Sequence, residues 1–270
     1  METPTAPRTP PDYLLHLADN ALVLGQRNAE WCGHGPVLEE DIALANISLD
    51  LIGQARLLYQ HAAAGLQADG APTVTEDSLA YFRDPHQFRN YTLLELPHHG
   101  PLAGSAAADR DYATTIVRNF LYSGLMVLLW QRLQESADPQ LAAIAAKSLK
   151  EVRYHLRHAR DWLLRLGDGT DTSRQRTQAA VDHLLPYTQE FWTVSDAESA
   201  ASRDGTGTDP AALRPAWDAL VDEALAEATL RRPAAGGYAP RGKHGLHSEH
   251  LGYLLAEMQS LARQHPGASW

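Results

Sequence analysis

Asp50, Glu151 and His155 come nearest, in type and spacing, to residues that could do chemistry in this chain of 270 residues. Carboxylates and imidazoles at helical spacing are the donor set of a di-iron site inside a helical bundle. Such a site takes one Glu from each of two helices and Glu-x-x-His from each of the other two. The carboxylates bridge and neutralise the irons, and the histidines fix the positions where oxygen reacts. Asp50-Leu51-Ile52-Gly53 offers a carboxylate in the place of one Glu-x-x-His, but no imidazole. Glu151-Val152-Arg153-Tyr154 offers the other, with His155 one position late. One position is about 100° of rotation on a helix, so His155 does not simply substitute. Asp19 and Asn20 stand where an earlier helix should supply Glu. Between Tyr112 and Arg132 there is no Asp or Glu, and Arg118, Asn119 and Ser123 are the chief polar breaks. The chain is therefore read as metal-free, with no catalytic or cofactor-binding residue of its own.

Asn46, Asp50 and Gly53 form a row at i, i+4, i+7 that admits two readings. It is either a solvated helix face or the polar remnant of a metal cavity. His155 lies on the apolar line Ser148, Val152, Ala159, Trp162, Leu166, with Glu151 one turn before it. A charged pair on such a line must be satisfied internally or cost several kcal/mol. The second reading thus expects Asn46, Asp50, Glu151 and His155 to form a buried network, joined by Arg118 or Arg153. His98, His99, His244, His247 and His250 are read as structural rather than as a metal site, there being no Cys among them. Arg231, Arg232, Arg241 and Lys243 could hold a phosphate-bearing ligand, against the plainer reading of a solvated or partner-contacting loop. No Walker or Rossmann glycine motif is present.

The elements that must position these residues are all helical. Residues 37–64 have two apolar seams: Leu38, Ile42, Ala45, Leu49, Ile52, and Leu44, Ile47, Leu51, Ala55, Leu58. A helix apolar along two flanks is expected to pack on both, as inside a bundle. Further helices are expected over 12–31, 76–83, 86–96, 111–136, 139–166, 171–193 with a kink at Pro186, 210–230 and 248–264. Gly167 is expected to end its helix in the left-handed conformation. Residues 65–75, 97–109, 195–209 and 231–247 read as loops. No alternating strand pattern occurs, so the class is all-α, a bundle of long antiparallel helices with shorter peripheral ones. Residues 1–11 read as a disordered tail and 12–270 as one domain.

The third long helix reads IVRNFLYSGLMVLLW from Ile116 to Trp130 and is apolar on most sides. In a four-helix bundle each member keeps one face outward, so that face must meet peripheral helices or another subunit. Tyr122, Met126 and Trp130, at i, i+4 and i+8, are the expected partner anchors. A net charge of −10 offers no electrostatic footprint for nucleic acid. The single cysteine, Cys32, fits a reducing compartment. With no signal peptide and an apolar run, Phe120–Trp130, well below the ~20 residues of a membrane span, a cytoplasmic protein is expected.

The stretch LADNALVLGQRNAEWCGHGPVLEEDIALANISLDLIGQARLL resembles the N-terminal signature of the ferritin-like structural subunits of bacterial phenylacetyl-CoA 1,2-epoxidase, the PaaC family. The similarity continues through DPQLAAIAAKSLKEVRYHLRHARDWLLRLGDGT and GLHSEHLGYLLAEMQSLARQHPGASW. This resemblance implies a ferritin-like four-helix bundle with additional peripheral helices. It also implies a non-catalytic role in a multicomponent monooxygenase of aerobic phenylacetate catabolism. The implied partners are a di-iron catalytic subunit, PaaA, which binds the thioester; a small bridging subunit, PaaB; and a reductase carrying FAD and an iron–sulfur cluster. Molecular oxygen and NADPH are the implied co-substrates. The rival readings are a self-sufficient di-metal oxygenase with an unusual ligand set and an acyl-CoA-binding helical protein.

Overall fold

The computed structural model describes residues 7–71, 73–99, 110–234 and 240–268. Its frame is two long helix hairpins. α1 (Pro11–Ala29) and α2 (Leu38–Ala68) form the first; α5 (Tyr112–Leu133) and α6 (Pro139–Gly167) form the second. Pro11 opens α1 because the first turn has no intrahelical use for the N–H that proline lacks. Glu39, Glu40 and Asp41 load the first turn of α2, where carboxylates offset the helix dipole. Asp138 caps α6, accepting from the Gln140 and Leu141 amides at 3.0 and 3.3 Å. This is the ferritin-like arrangement, with α2 and α6 meeting along one seam of the bundle.

The crossover from α2 to α5 carries α3 (Glu76–Tyr81), a 3-10 turn at Pro85–Gln87 and α4 (Thr92–Glu95). The helix expected over 86–96 is therefore reduced to two short turns. After α6 come α7 (Asp171–Leu184), a 3-10 stretch Leu185–Trp192 that takes in Pro186, α8 (Asp196–Arg203), α9 (Arg214–Glu227) and α10 (Glu249–Gln264). α8 lies in what reads as a polar loop. Its signal is a capping box: the Ser195 hydroxyl accepts from the Glu198 amide, and Glu198 accepts from the Ser195 amide. Among the described residues the β-structure is one isolated bridge, Arg241–Leu246.

Glycine stands at position 167, the last of α6, for a different reason from the one expected. It does not have positive φ; instead a Cβ there would collide with the Ala228 carbonyl, where α6 meets the end of α9. Residues 7–10 are not a free tail. Arg8 pairs with Asp69 at 2.5 Å, and Thr9 is buried, donating to Asp138 through its amide and hydroxyl at 3.1 and 2.6 Å. The rest of the expected tail, residues 1–6, lies outside the described residues, as do 100–109 and 235–239 of the expected loops.

α5 is long and apolar enough by composition to cross a membrane, but it is buried inside the fold. Tyr122, Met126 and Trp130 are all buried by this chain itself. α7 and α9 lie over the outer side of α5, and Trp217 of α9 donates its indole N–H to the Leu121 carbonyl at 3.0 Å. The expected partner anchors are therefore core residues. Peripheral helices of the same chain, rather than a partner protein, cover this helix.

Candidate functional site

The seam where α2 meets α6 is where a bundle metal site would draw its two Glu-x-x-His motifs. Burial fixes which residues of each helix point inward. On α2 the inward row is Ile47, Leu51, Gln54 and Leu58; on α6 it is Ser148, Val152, His155 and Ala159. The i, i+3 pairs in the inward register are thus Leu51 with Gln54 and Val152 with His155. The motif positions read Leu-x-x-Gln and Val-x-x-His. Each register sits one residue later than the spacing of acidic residues alone implies. His155 is then in a proper ligand position, but both carboxylate positions hold aliphatic side chains, which donate no electron pair to a metal. Among the described residues no group of three or more His, Cys, Asp or Glu is placed to hold a metal ion. The donor set does not fit a di-iron centre.

The polar residues at this seam pair across it. His155 Nε2 meets Asp50 Oδ2 at 3.0 Å, and Gln54 Nε2 donates to Glu151 Oε2 at 2.9 Å. Glu151 also takes Lys147 at 2.9 Å. Farther along, Glu40 accepts from the Tyr112 hydroxyl at 2.6 Å and meets His158 Nε2 at 2.7 Å. Burial would raise the Glu40 carboxyl, but hydrogen bonds from Tyr112 and His158 outweigh it and hold the group below its ordinary value. Asp138 and His61 close the other end of the seam at 2.7 Å. Asp50, Glu151 and His155 thus lie together on one seam, in two crosswise pairs. Asn46 is exposed and outside them, and Asp50 is itself 38% exposed at the side chain. Arg153 is also exposed, and Arg118 is remote, donating to the Pro97 carbonyl at 2.6 Å.

Deeper polar contacts join α1 to α5. Asn28 and Asn119 exchange amide hydrogen bonds at 2.9 and 3.0 Å. Trp31 Nε1 donates to Thr115 at 2.9 Å, and His98 Nε2 donates to the Arg27 carbonyl at 2.7 Å. Burial and the neighbouring Arg118 guanidinium push His98 well below its ordinary value, so it is a neutral structural imidazole. Sequence reasoning missed Asn28 because its partner lies 91 residues away.

The loop histidines and cations are dispersed or already paired. His247 bonds Glu95 at 2.8 Å and the Phe88 carbonyl at 3.0 Å, while His99 faces His250 edge-on at 6.5 Å. Arg232 is taken by Asp222 and Asp218 at 2.7 and 2.5 Å. Lys243, read as part of a solvated loop, is buried with its ammonium on Glu198 at 2.9 and 3.0 Å. Two of the four cations of the basic segment, Arg232 and Lys243, are thus held by carboxylates of this chain. A groove of about 570 Å³ between α3 and α10, lined by Tyr81, Phe82, Met258 and Leu261 among others, has no Lys or Arg in its wall.

Comparison with known proteins agrees with this architecture. The chain matches, over residues 2–270, the family model described as phenylacetic acid catabolic protein. It is 48% identical over 258 residues to one of the subunits of the 1,2-phenylacetyl-CoA epoxidase of Escherichia coli strain K12, covering 96% of this chain and 98% of that protein. A ferritin-like helical bundle, the family match along the whole chain and near-complete coverage of a half-identical relative lead to one assignment: this chain belongs to the phenylacetic acid catabolic protein family.

Proposed function

We propose that this chain is the metal-free, non-catalytic subunit of a multicomponent phenylacetyl-CoA 1,2-epoxidase. It pairs with and stabilises a ferritin-like di-iron catalytic subunit of the PaaA type. A small bridging subunit of the PaaB type and a reductase using FAD, an iron–sulfur cluster and NADPH complete the assembly, which works in cytoplasmic phenylacetate breakdown. The observation that carries the reading is the inward register of the α2–α6 seam. Leu51 and Val152 occupy the positions where two bridging carboxylates are needed, while the fold that would hold them is kept. A bundle retained without its donors supports a scaffolding role beside a homologue that has them.

Two measurements test this. Elemental analysis after aerobic and anaerobic iron loading should find no stoichiometric iron on the purified chain; two irons per chain with a near-ultraviolet oxo-bridge band would establish the self-sufficient oxygenase instead. Coexpression with the catalytic subunit should yield a stable complex, and its absence under conditions where both fold would remove the pairing.

A further inference from the structure

Arg118 is the one charged side chain of α5 between Tyr112 and Arg132, and it is fully buried. Its guanidinium donates through Nη2 to the Pro97 carbonyl at 2.6 Å. Among the described residues, Nε and Nη1 have no hydrogen-bond partner. The carboxylate whose charge acts on it, Glu30, is already held by Arg27 Nη1 at 2.6 Å. An interior charge is ordinarily paired, because an unpaired one carries the whole cost of its lost hydration. The other three buried Arg and Lys side chains among the described residues follow that rule: Arg27 rests on Glu30, Arg83 on Asp19 and Lys243 on Glu198. Arg118 is the most enclosed of the four and does not.

Its neighbours add positive charge instead of cancelling it. Burial first, then repulsion from Arg27, lowers the Arg118 guanidinium to about 9, so it still carries its charge at neutral pH. Burial first, then Arg118 with Arg27 and Arg110 behind it, lowers His98. Burial, Arg118 and His99 lower His183 of α7. His183 is half-buried, so a partly open imidazole adjoins the enclosed guanidinium. His99 and His250, which face each other edge-on, are half-buried as well.

The geometry of the guanidinium states what would fit. Its five N–H groups lie in one rigid plane, and two edges of that plane, Nε with Nη2 and Nη1 with Nη2, each present a parallel pair. Pro97 takes one hydrogen of Nη2. Whichever one it takes, the other edge stays whole. Such an edge matches two oxygens of a carboxylate or a phosphate. A water or a carbonyl would satisfy the hydrogens and leave the charge.

We infer that Arg118 anchors an interior anion site, in which a small oxyanion, a carboxylate or a phosphate group, takes the free edge of the guanidinium between α5 and the segment 97–99, with His183 beside it. The site does not depend on the pairing proposed above.

The test uses the full chain alone. Inorganic phosphate and acetate are titrated separately at constant ionic strength, with chloride as the balancing salt. At least one should bind once per chain by calorimetry and raise the melting temperature saturably, by about 5 °C at a hundredfold excess over Kd. Arg118→Met, which keeps an unbranched side chain without charge or fork, should lose both the heat signal and the shift. In Tris chloride without either anion it should melt no lower than the unmutated chain, since it removes an unpaired charge. Arg118→Lys keeps the charge without the fork and should bind at least about tenfold more weakly, the loss of one charge-assisted hydrogen bond; it supplies the comparison if Arg118→Met does not fold. No saturable binding of either anion to the unmutated chain overturns the site. Equal binding by the variants does so too, because the anion then sits elsewhere. A clearly lower melting temperature for Arg118→Met in Tris chloride would mean that a carboxylate of this chain already pairs with the guanidinium, which also overturns it.

Discussion

The α2–α6 seam and the crossover beneath α1 both contain carboxylates, yet they use them in opposite ways. At the seam, Asp50 and Glu151 sit at a partly open rim, each with a partner across the helix pair. On α1, Asp19 is fully buried against the crossover and collects the Tyr59 hydroxyl at 2.5 Å, the Arg89 amide at 2.7 Å and the Arg83 guanidinium. Glu95 and Glu190 are buried there too. Glu95 accepts from the Ser248 amide at 2.5 Å, and Glu190 takes the Thr92 and Lys243 amides, both at 2.8 Å. A working bundle metal site concentrates its buried carboxylates between the four helices. Here the buried carboxylates clamp connections to the bundle, and the place between α2 and α6 is left to Leu51 and Val152. Among the described residues these buried carboxylates serve to hold segments together.

The comparison breaks most visibly at Asp19. Asp19→Ala leaves the Arg83 guanidinium buried without a counter-ion, stacked against the Phe88 ring at 4.2 Å. Removing one member of a buried pair costs about 3–5 kcal/mol, mainly through the charge left behind. Urea unfolding should show that loss. A change within ~0.5 kcal/mol, the range of a surface substitution, would mean that the crossover does not depend on this clamp.

Asp50→Ala and Glu151→Ala test the other side. On the expectation of a buried network each would be as costly as Asp19→Ala. With Asp50 partly exposed and Glu151 already sharing Lys147, each should cost no more than about 1 kcal/mol, the upper range of exposed ion pairs. The ratio between Asp19→Ala and Asp50→Ala is the sharper quantity. If the two losses are equal, the seam is as closed as the crossover and the contrast fails.

Much of the frame was legible because it rests on local signals. The four long helices announce themselves through apolar periodicity, and Asp138-Pro139 marks the start of α6 by capping chemistry and proline preference. Two kinds of feature were not legible. Periodicity says that α2 has two apolar seams but not which one meets the core, since both have helical spacing; only the neighbours decide. The same ambiguity moved the metal registers by one residue. Choosing acidic residues first selects Asp50 and Glu151, whereas choosing the buried line first selects Leu51 with Gln54 and Val152 with His155. The apolarity of α5 was plain, but its cover, including Trp217 of α9 at 96 residues' separation from Leu121, is a long-range fact. The Lys243–Glu198 pair and Asn28–Asn119 pair are hidden for the same reason. Ser195 and Glu198 did carry a local signal for α8, outweighed by the polar composition around them.

The smallest expected effect is one of sign with pH, and it separates the two regions without removing a core side chain. At the seam, Glu40 has a carboxyl held below its ordinary value: burial opposes the charge, and hydrogen bonds from Tyr112 and His158 prevail. Burial and the Glu40 hydrogen bond keep the Tyr112 phenol protonated, so it remains a donor throughout the accessible range. A depressed carboxyl contributes stability that is fully present above the unfolded value, about 4.3 for Glu, and that fades as pH falls through the folded value. Against the crossover, His247 of the segment before α10 runs the other way. Burial opposes its charge, but the Glu95 carboxylate raises it above its ordinary value overall. Its contribution is full below about 6.5, the unfolded imidazole value, and is lost as pH rises through the folded one. The stability difference between the unmutated chain and Glu40→Gln should therefore shrink on acidification below about pH 4.3, and that for His247→Gln should shrink as pH rises above about 6.5. Unfolding free energies measured across the pH range check both slopes. A Glu40→Gln difference that grows on acidification would mean that burial dominates at the seam, placing Glu40 in the same closed environment as the crossover carboxylates.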